Sequence, residues 1–143
     1  MSRFYDTCCG DLTNWDYIRY QGALLAAIKG KRGQAFLADL FQALDDMPVK
    51  ELIPKELEIQ GQCCALGVLG KSRCLDLKEM GVFIKTAQLQ GSYDILAAAF
   101  NIAPTLVQEV VTINDYDDNY PCPVSPAARY RRVLKWVADN LQP

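Results

Sequence analysis

Between Gln34 and Asp45 the apolar residues Phe36, Leu37, Leu40, Phe41 and Leu44 return every three or four positions, with Gln34, Asp39, Gln42 and Asp45 facing the other way. That spacing gives an α-helix one apolar and one polar face, and the two-residue period of a strand cannot match it. Pro48 stops the pattern. The segment before it has the same character. Trp15, Ile18, Gly22, Leu25 and Ile28 recur at helical spacing behind Thr13-Asn14-Trp15-Asp16, a capping-box-like start with an acid three residues after the cap. Only the basic turn around Gly30 separates the two helices, so they form an antiparallel or crossed hairpin.

Further along, Cys63-Cys64-Ala65-Leu66-Gly67-Val68-Leu69 is an apolar run best read as a short helix ending near Gly70. Just before it, Pro54 to Ile59 alternates weakly and Gln60-Gly61 supplies a turn, which predicts one small β-hairpin near 56–66. Residues 75–91 read as a loop with one helical turn. Ser92 caps a short helix to Phe100, and Pro104 opens another that runs to Asn114. Ser125-Pro126 repeats that pattern for a last helix, with Tyr130, Val133, Leu134, Val137 and Leu141 inward and Arg129, Arg131, Arg132 and Lys135 largely outward. The expected architecture is mainly α: a single compact domain of five to six helices over residues 1–143, with 1–12 as an N-terminal extension.

Composition narrows the function classes. Half of the 143 residues are hydrophobic and 22% are charged, so the chain buries roughly two-thirds of its surface without a disulfide or metal staple. It has no histidine. A Ser-His-Asp or Cys-His pair is therefore excluded, as is a mixed Cys/His zinc site. No apolar run approaches the ~18 residues of a membrane span. Met1 to Asp6 carries no apolar signal-peptide core, which predicts a cytoplasmic setting where Cys8, Cys9, Cys63, Cys64, Cys74 and Cys122 are thiols. Cys8 and Cys9 precede the first helix and are expected at the surface, whereas Cys63, Cys64 and Cys74 are expected to be small buried residues. No C-x2-C knuckle is present, and no metal or cofactor is expected.

Four segments carry candidate chemistry. Gly70-Lys71-Ser72 has the end of a phosphate-binding loop, but Ala65 stands where that motif needs its first glycine. Residues 95–107 have helix-turn-helix spacing, with Ala97, Asn101, Ile102 and Val107 at its key positions. From Ser92 to Tyr120, however, there are five acids and no Lys or Arg. Affinity for DNA comes largely from cations on phosphates, so direct DNA binding through this segment is not expected. Lys29, Lys31 and Arg32 surround a helix start, an arrangement suited to an anion. Asp115, Tyr116, Asp117, Asp118 and Tyr120 mix carboxylates with tyrosines, which suits a contact with a basic partner surface. The loop lacks the central glycine and terminal glutamate of a calcium-binding EF-hand.

Gly30-Lys31-Arg32-Gly33-Gln34-Ala35-Phe36-Leu37, Cys64-Ala65-Leu66-Gly67, Asn114-Asp115 and Ser125-Pro126 with Arg129-Tyr130, Arg132-Val133 and Trp136-Val137 resemble a group of small bacteriophage and prophage proteins without assigned activity. The resemblance spans most of the chain but consists of helix and turn signals, with no catalytic residues to carry over. It implies a bacterial cytoplasmic setting. By analogy with small phage accessory proteins, it implies a non-enzymatic interaction protein that inhibits or redirects a bacterial host or antiviral-defence complex, an anti-CRISPR-like inhibitor being the most concrete version. The acidic loop at 115–120 would meet a basic site, or the basic turn at 29–32 an acidic one. Two other readings stay open. One is a small-ligand or nucleotide-binding module with Lys31, Arg32 and Lys71 at an anion. The other is a helix-turn-helix-like regulator, which would need the C-terminal arginines on DNA or a homodimer.

Overall fold

The computed structural model describes residues 14–90, 93–116 and 124–143. Seven helices and one hairpin occur among them. In chain order they are α1 (Asn14–Lys29), α2 (Lys31–Asp45), β1 (Glu58–Ile59), β2 (Gln62–Cys63), α3 (Ala65–Ser72), α4 (Leu77–Gln90), α5 (Asp94–Phe100), α6 (Pro104–Asp115) and α7 (Pro126–Asn140). The fold is mainly α, as its apolar periodicity predicts. The expected five to six helices become seven because residues 77–90 are helical. The residue that caps this extra helix is Asp76. The Asp76 carboxylate accepts the amides of Lys78 and Glu79 at 3.0 and 3.1 Å, and Glu79 puts an acid in the first turn. Asp76→Ala is expected to cost about 1 kcal/mol, the usual value for a lost N-cap. A fall in Tm of about 3 °C would register it.

α6 is the axis of the domain. It packs against α1, α3, α5 and α7, and Leu106, Val107, Glu109, Val110, Ile113 and Asn114 are all buried. α2 packs beside it against α1, α3 and α7, burying Phe36, Leu37, Leu40 and Leu44. Phe36 meets Phe100 edge to face, with centroids 6.2 Å apart. Gln34, expected on the solvent side of α2, instead joins two helix ends. Its amide donates to Ile28 O at 2.7 Å and to Asn140 O at 3.0 Å, and so satisfies carbonyls that α1 and α7 leave unpaired at their C-termini.

The hairpin lies where the sequence places it, with Glu58 opposite Cys63 and Ile59 opposite Gln62. Gln60 at φ 51 and Gly61 at φ 84 give its two-residue turn the positive φ values that match strand twist. Cys64 then caps α3, its sulfur accepting the Gly67 amide at 3.4 Å.

α1 departs from expectation. Its inward row is Tyr20, Leu24 and Ile28, whereas Trp15, Ile18 and Leu25 are 64%, 51% and 51% exposed. Both rows have helical spacing, so periodicity alone could not choose between them. The inward row carries a tyrosine whose hydroxyl reaches the buried Glu109 carboxylate at 2.9 Å. A buried carboxylate needs such a donor.

Candidate functional site

The α1–α2 corner is built by two glycines. Gly30 is the N-cap of α2 in extended conformation and offers no side-chain cap. Gly33 brings the first turn of α2 so close to the last turn of α1 that an added Cβ would lie 1.8 Å from Ala27 O. Lys29, Lys31 and Arg32 all project into solvent there. Lys31 and Arg32, but not Lys29, border a hollow of about 170 Å³ whose floor includes Ala26, Ala27 and Ala103. Arg32 reaches Asn101 Oδ1 at 3.4 Å. The first turn of α2 contains no acid, so its positive dipole end and two of these cations stand together, an arrangement that favours a negative group. Lys71 is not part of this corner: it lines a different hollow and pairs with Glu58.

The same corner continues along the outer face of α1. Trp15, Ile18, Gly22 and Leu25 follow one another at i, i+3, i+7 and i+10 on that face. Ala26, also exposed, belongs both to this stripe and to the floor of the basic hollow. Nothing lies within 4 Å of a Cβ built on Gly22, so the stripe has a flat centre open to close approach. Exposed Arg19 and Lys29 flank it. The one acid of α1, Asp16, is partly buried and lies about 100° round the helix from Trp15.

The acidic segment is divided. Asp117, Asp118 and Tyr120 lie outside the described residues. Asp115 is part of the fold, its Oδ1 accepting from the Lys55 amide at 3.0 Å and the Asn114 side chain at 2.8 Å. Lys55 has φ 68, and the Asp115 bond helps hold it there. Tyr116 lies under the Arg132 guanidinium, 5.9 Å from ring centroid to Cζ.

α7 corrects a second expectation. Arg131 and Lys135 are exposed as predicted, but Arg129 is buried and Arg132 half-buried. Arg129 donates to Asn114 O, and Arg132 donates to the same oxygen at 3.2 Å. The reason is electrostatic: α6 has no basic residue in its last turn, and two arginines from α7 supply cations at its negative end.

The helix-turn-helix resemblance is real in geometry. α5 and α6 meet at 95°, and Asn101 closes α5 in the left-handed region at φ 56, ψ 48. Yet α6, in the position of a recognition helix, is the buried axis of the domain and has no free face for a DNA groove.

The hairpin carries an arrangement that sequence spacing did not suggest. Lys71 Nζ lies 2.6 Å from Glu58 Oε2, and Cys63 Sγ lies 3.7 Å from the same oxygen. The bond from Lys71 holds the Glu58 carboxyl below its usual range, and the Lys71 ammonium is raised in return. Burial pushes the Cys63 thiol up, against a smaller opposing pull from Lys71. Burial also pushes Cys64 up, to about 12. Both are therefore neutral thiols near pH 7, poor nucleophiles and poor metal ligands. Cys74, expected to be buried, is exposed at φ 58. Among the described residues no three Cys, Asp or Glu side chains converge as a metal site would require, and no single helix is long and apolar enough to cross a membrane.

No protein-family model, curated protein or solved structure matches this chain.

Proposed function

We propose that the protein acts by binding another protein stoichiometrically, and that the outer face of α1 together with the basic turn forms the contact. The observation that carries this reading is the exposure of Trp15, Ile18 and Leu25 on one helix face. A tryptophan and two aliphatic residues in line, rimmed by Arg19, Lys29, Lys31 and Arg32, have the composition of an interface core with a charged edge. The rim sets the partner's chemistry: an amphipathic segment, most simply a helix, whose apolar face is flanked by carboxylates. In line with the resemblance to phage accessory proteins, the partner is a component of a bacterial host or defence complex, and occupying its binding segment blocks or redirects it.

The test is capture from bacterial lysate with wild-type protein and with Trp15→Ala/Ile18→Asp. Both side chains are exposed, so the double variant is expected to keep its Tm within a few degrees. It is expected to lose the captured protein, with an affinity at least tenfold weaker once the partner is purified, as hot-spot truncation produces. Asp117→Lys/Asp118→Lys separates the two surfaces. It leaves capture intact if α1 is the contact and abolishes it if the acidic loop is. Retention of the partner by the α1 variant would sink the proposal.

A further inference from the structure

A second hollow, beside the hairpin, uses residues that the α1 surface does not. It measures about 390 Å³, within the range of small-ligand clefts and equal to roughly a dozen waters at ~30 Å³ each. Met47, Pro48, Val49 and Val68 give it apolar walls, and the neutral Cys63 thiol adds to them. Val49 is 60% exposed, so an apolar occupant would cover hydrocarbon that now faces water.

The charges decide what kind of occupant fits. Glu51 and Lys71 are the charged residues that line the cleft; Glu58, which pairs with Lys71, lines the neighbouring hollow beside α4. Lys71 is engaged by Glu58 at 2.6 Å, whereas Glu51 has no ionic partner among the described residues. With Lys71 neutralised by Glu58, the Glu51 carboxylate is the lining charge left without an opposite partner. An anion would meet Glu51 and find the nearest ammonium already paired; a cation would meet a carboxylate without a partner.

We infer that this cleft binds a compact organic amine, with its hydrocarbon body against Met47, Val49 and Val68 and its ammonium group at Glu51. Lys71 puts an ammonium on the same cleft wall and so opposes such a ligand, and the two charged residues have opposite effects on affinity.

The test is a methyl NMR titration of the full chain with phenethylamine and with 3-phenylpropionate, which share an apolar body and differ in the sign of their charge. Phenethylamine is expected to shift the Met47, Val49 and Val68 methyl signals in a saturable way, and 3-phenylpropionate at equal concentration is not. Glu51→Gln is expected to raise the Kd for phenethylamine about fivefold, the scale of an exposed ion pair. Lys71→Met is expected to lower it by a similar factor. Both positions are at the surface, and a dispersed amide spectrum confirms that each variant folds. Equal binding of the two compounds, binding of neither, or a Kd that neither substitution moves would overturn the inference.

Discussion

Gly33→Ala is expected to lower Tm by about 10 °C or more, or to leave the chain unfolded, although it adds a single methyl group to a helix. In isolation the change favours helix by about 1 kcal/mol. Here the new Cβ would lie 1.8 Å from Ala27 O and 2.9 Å from Ala27 C. Both are backbone atoms, so no rotamer change relieves the overlap. α2 would have to withdraw from α1 by more than an ångström, which would loosen the packing of Phe36 and Leu37 immediately beyond the corner. Overpacking a close contact costs ~1–3 kcal/mol when the surroundings can yield, and a backbone-to-backbone contact sits at or above the top of that range. At about 3–4 °C per kcal/mol for a domain of this size, the Tm shift follows. Gly81→Ala is the control. It also lies within a helix, but nothing is within 4 Å of its added Cβ, so a gain of ~0.5–1 kcal/mol is expected. Thermal melts of the two variants should therefore move in opposite directions. A melt of Gly33→Ala at or above the wild-type Tm would mean that the α1–α2 corner is not packed as described.

These two glycines show what a sequence can and cannot reveal. Periodicity marked α2, α6 and α7 because each has one dense apolar face, and Pro104 and Ser125-Pro126 marked where the last two begin. The Gln60-Gly61 turn was equally legible, since few dipeptides accept two positive φ values in succession. α4 escaped notice because its apolar residues, Leu77, Met80, Val82, Phe83, Ile84 and Leu89, are spread round the helix rather than gathered on one face and Gly81 weakens the helical signal, so its Asp76 cap had to carry the assignment alone. In α1 both the inward and the outward row are apolar, and only the tertiary position of Glu109 distinguishes them. The candidate contact surface was half visible: Lys29, Lys31 and Arg32 stand out in the sequence, but Trp15, Ile18 and Leu25 look like core residues until the fold turns them outward. The Glu58–Cys63–Lys71 arrangement was not visible, because a hairpin and a helix turn must first bring those residues together. Arg129 and Arg132 were misjudged for a related reason. Arginine on an amphipathic helix is usually solvated, and nothing local announces that the carbonyl end of another helix lies within reach.

That carbonyl belongs to Asn114, whose replacement is the second large effect. Asn114 is 2% exposed, and its side chain joins three segments. Its Oδ1 accepts the Ala65 amide at the start of α3 at 3.0 Å. Its Nδ2 donates to Ile53 O at 3.0 Å and to Asp115 Oδ1 at 2.8 Å. Asn114→Ala would leave the buried Ala65 amide and the part-buried Ile53 carbonyl without these partners, and a buried group so orphaned costs about 1–3 kcal/mol, a part-buried one less. The loss is expected to total about 3 kcal/mol, with a fall in Tm of about 10 °C. The bonds from Arg129 and Arg132 go to the backbone oxygen of residue 114, which alanine keeps. Removing Arg129 is thus a different perturbation, acting on the end of α6 rather than on the start of α3. Amide hydrogen exchange distinguishes the two: Asn114→Ala should speed exchange at Ala65 and through the first turn of α3, whereas Arg129→Met should do so in the last turn of α6. If Asn114→Ala melted within about 2 °C of wild type, the side chain would be a bystander, and the junction of α3, α6 and the 53–55 segment would have to be held by apolar packing alone.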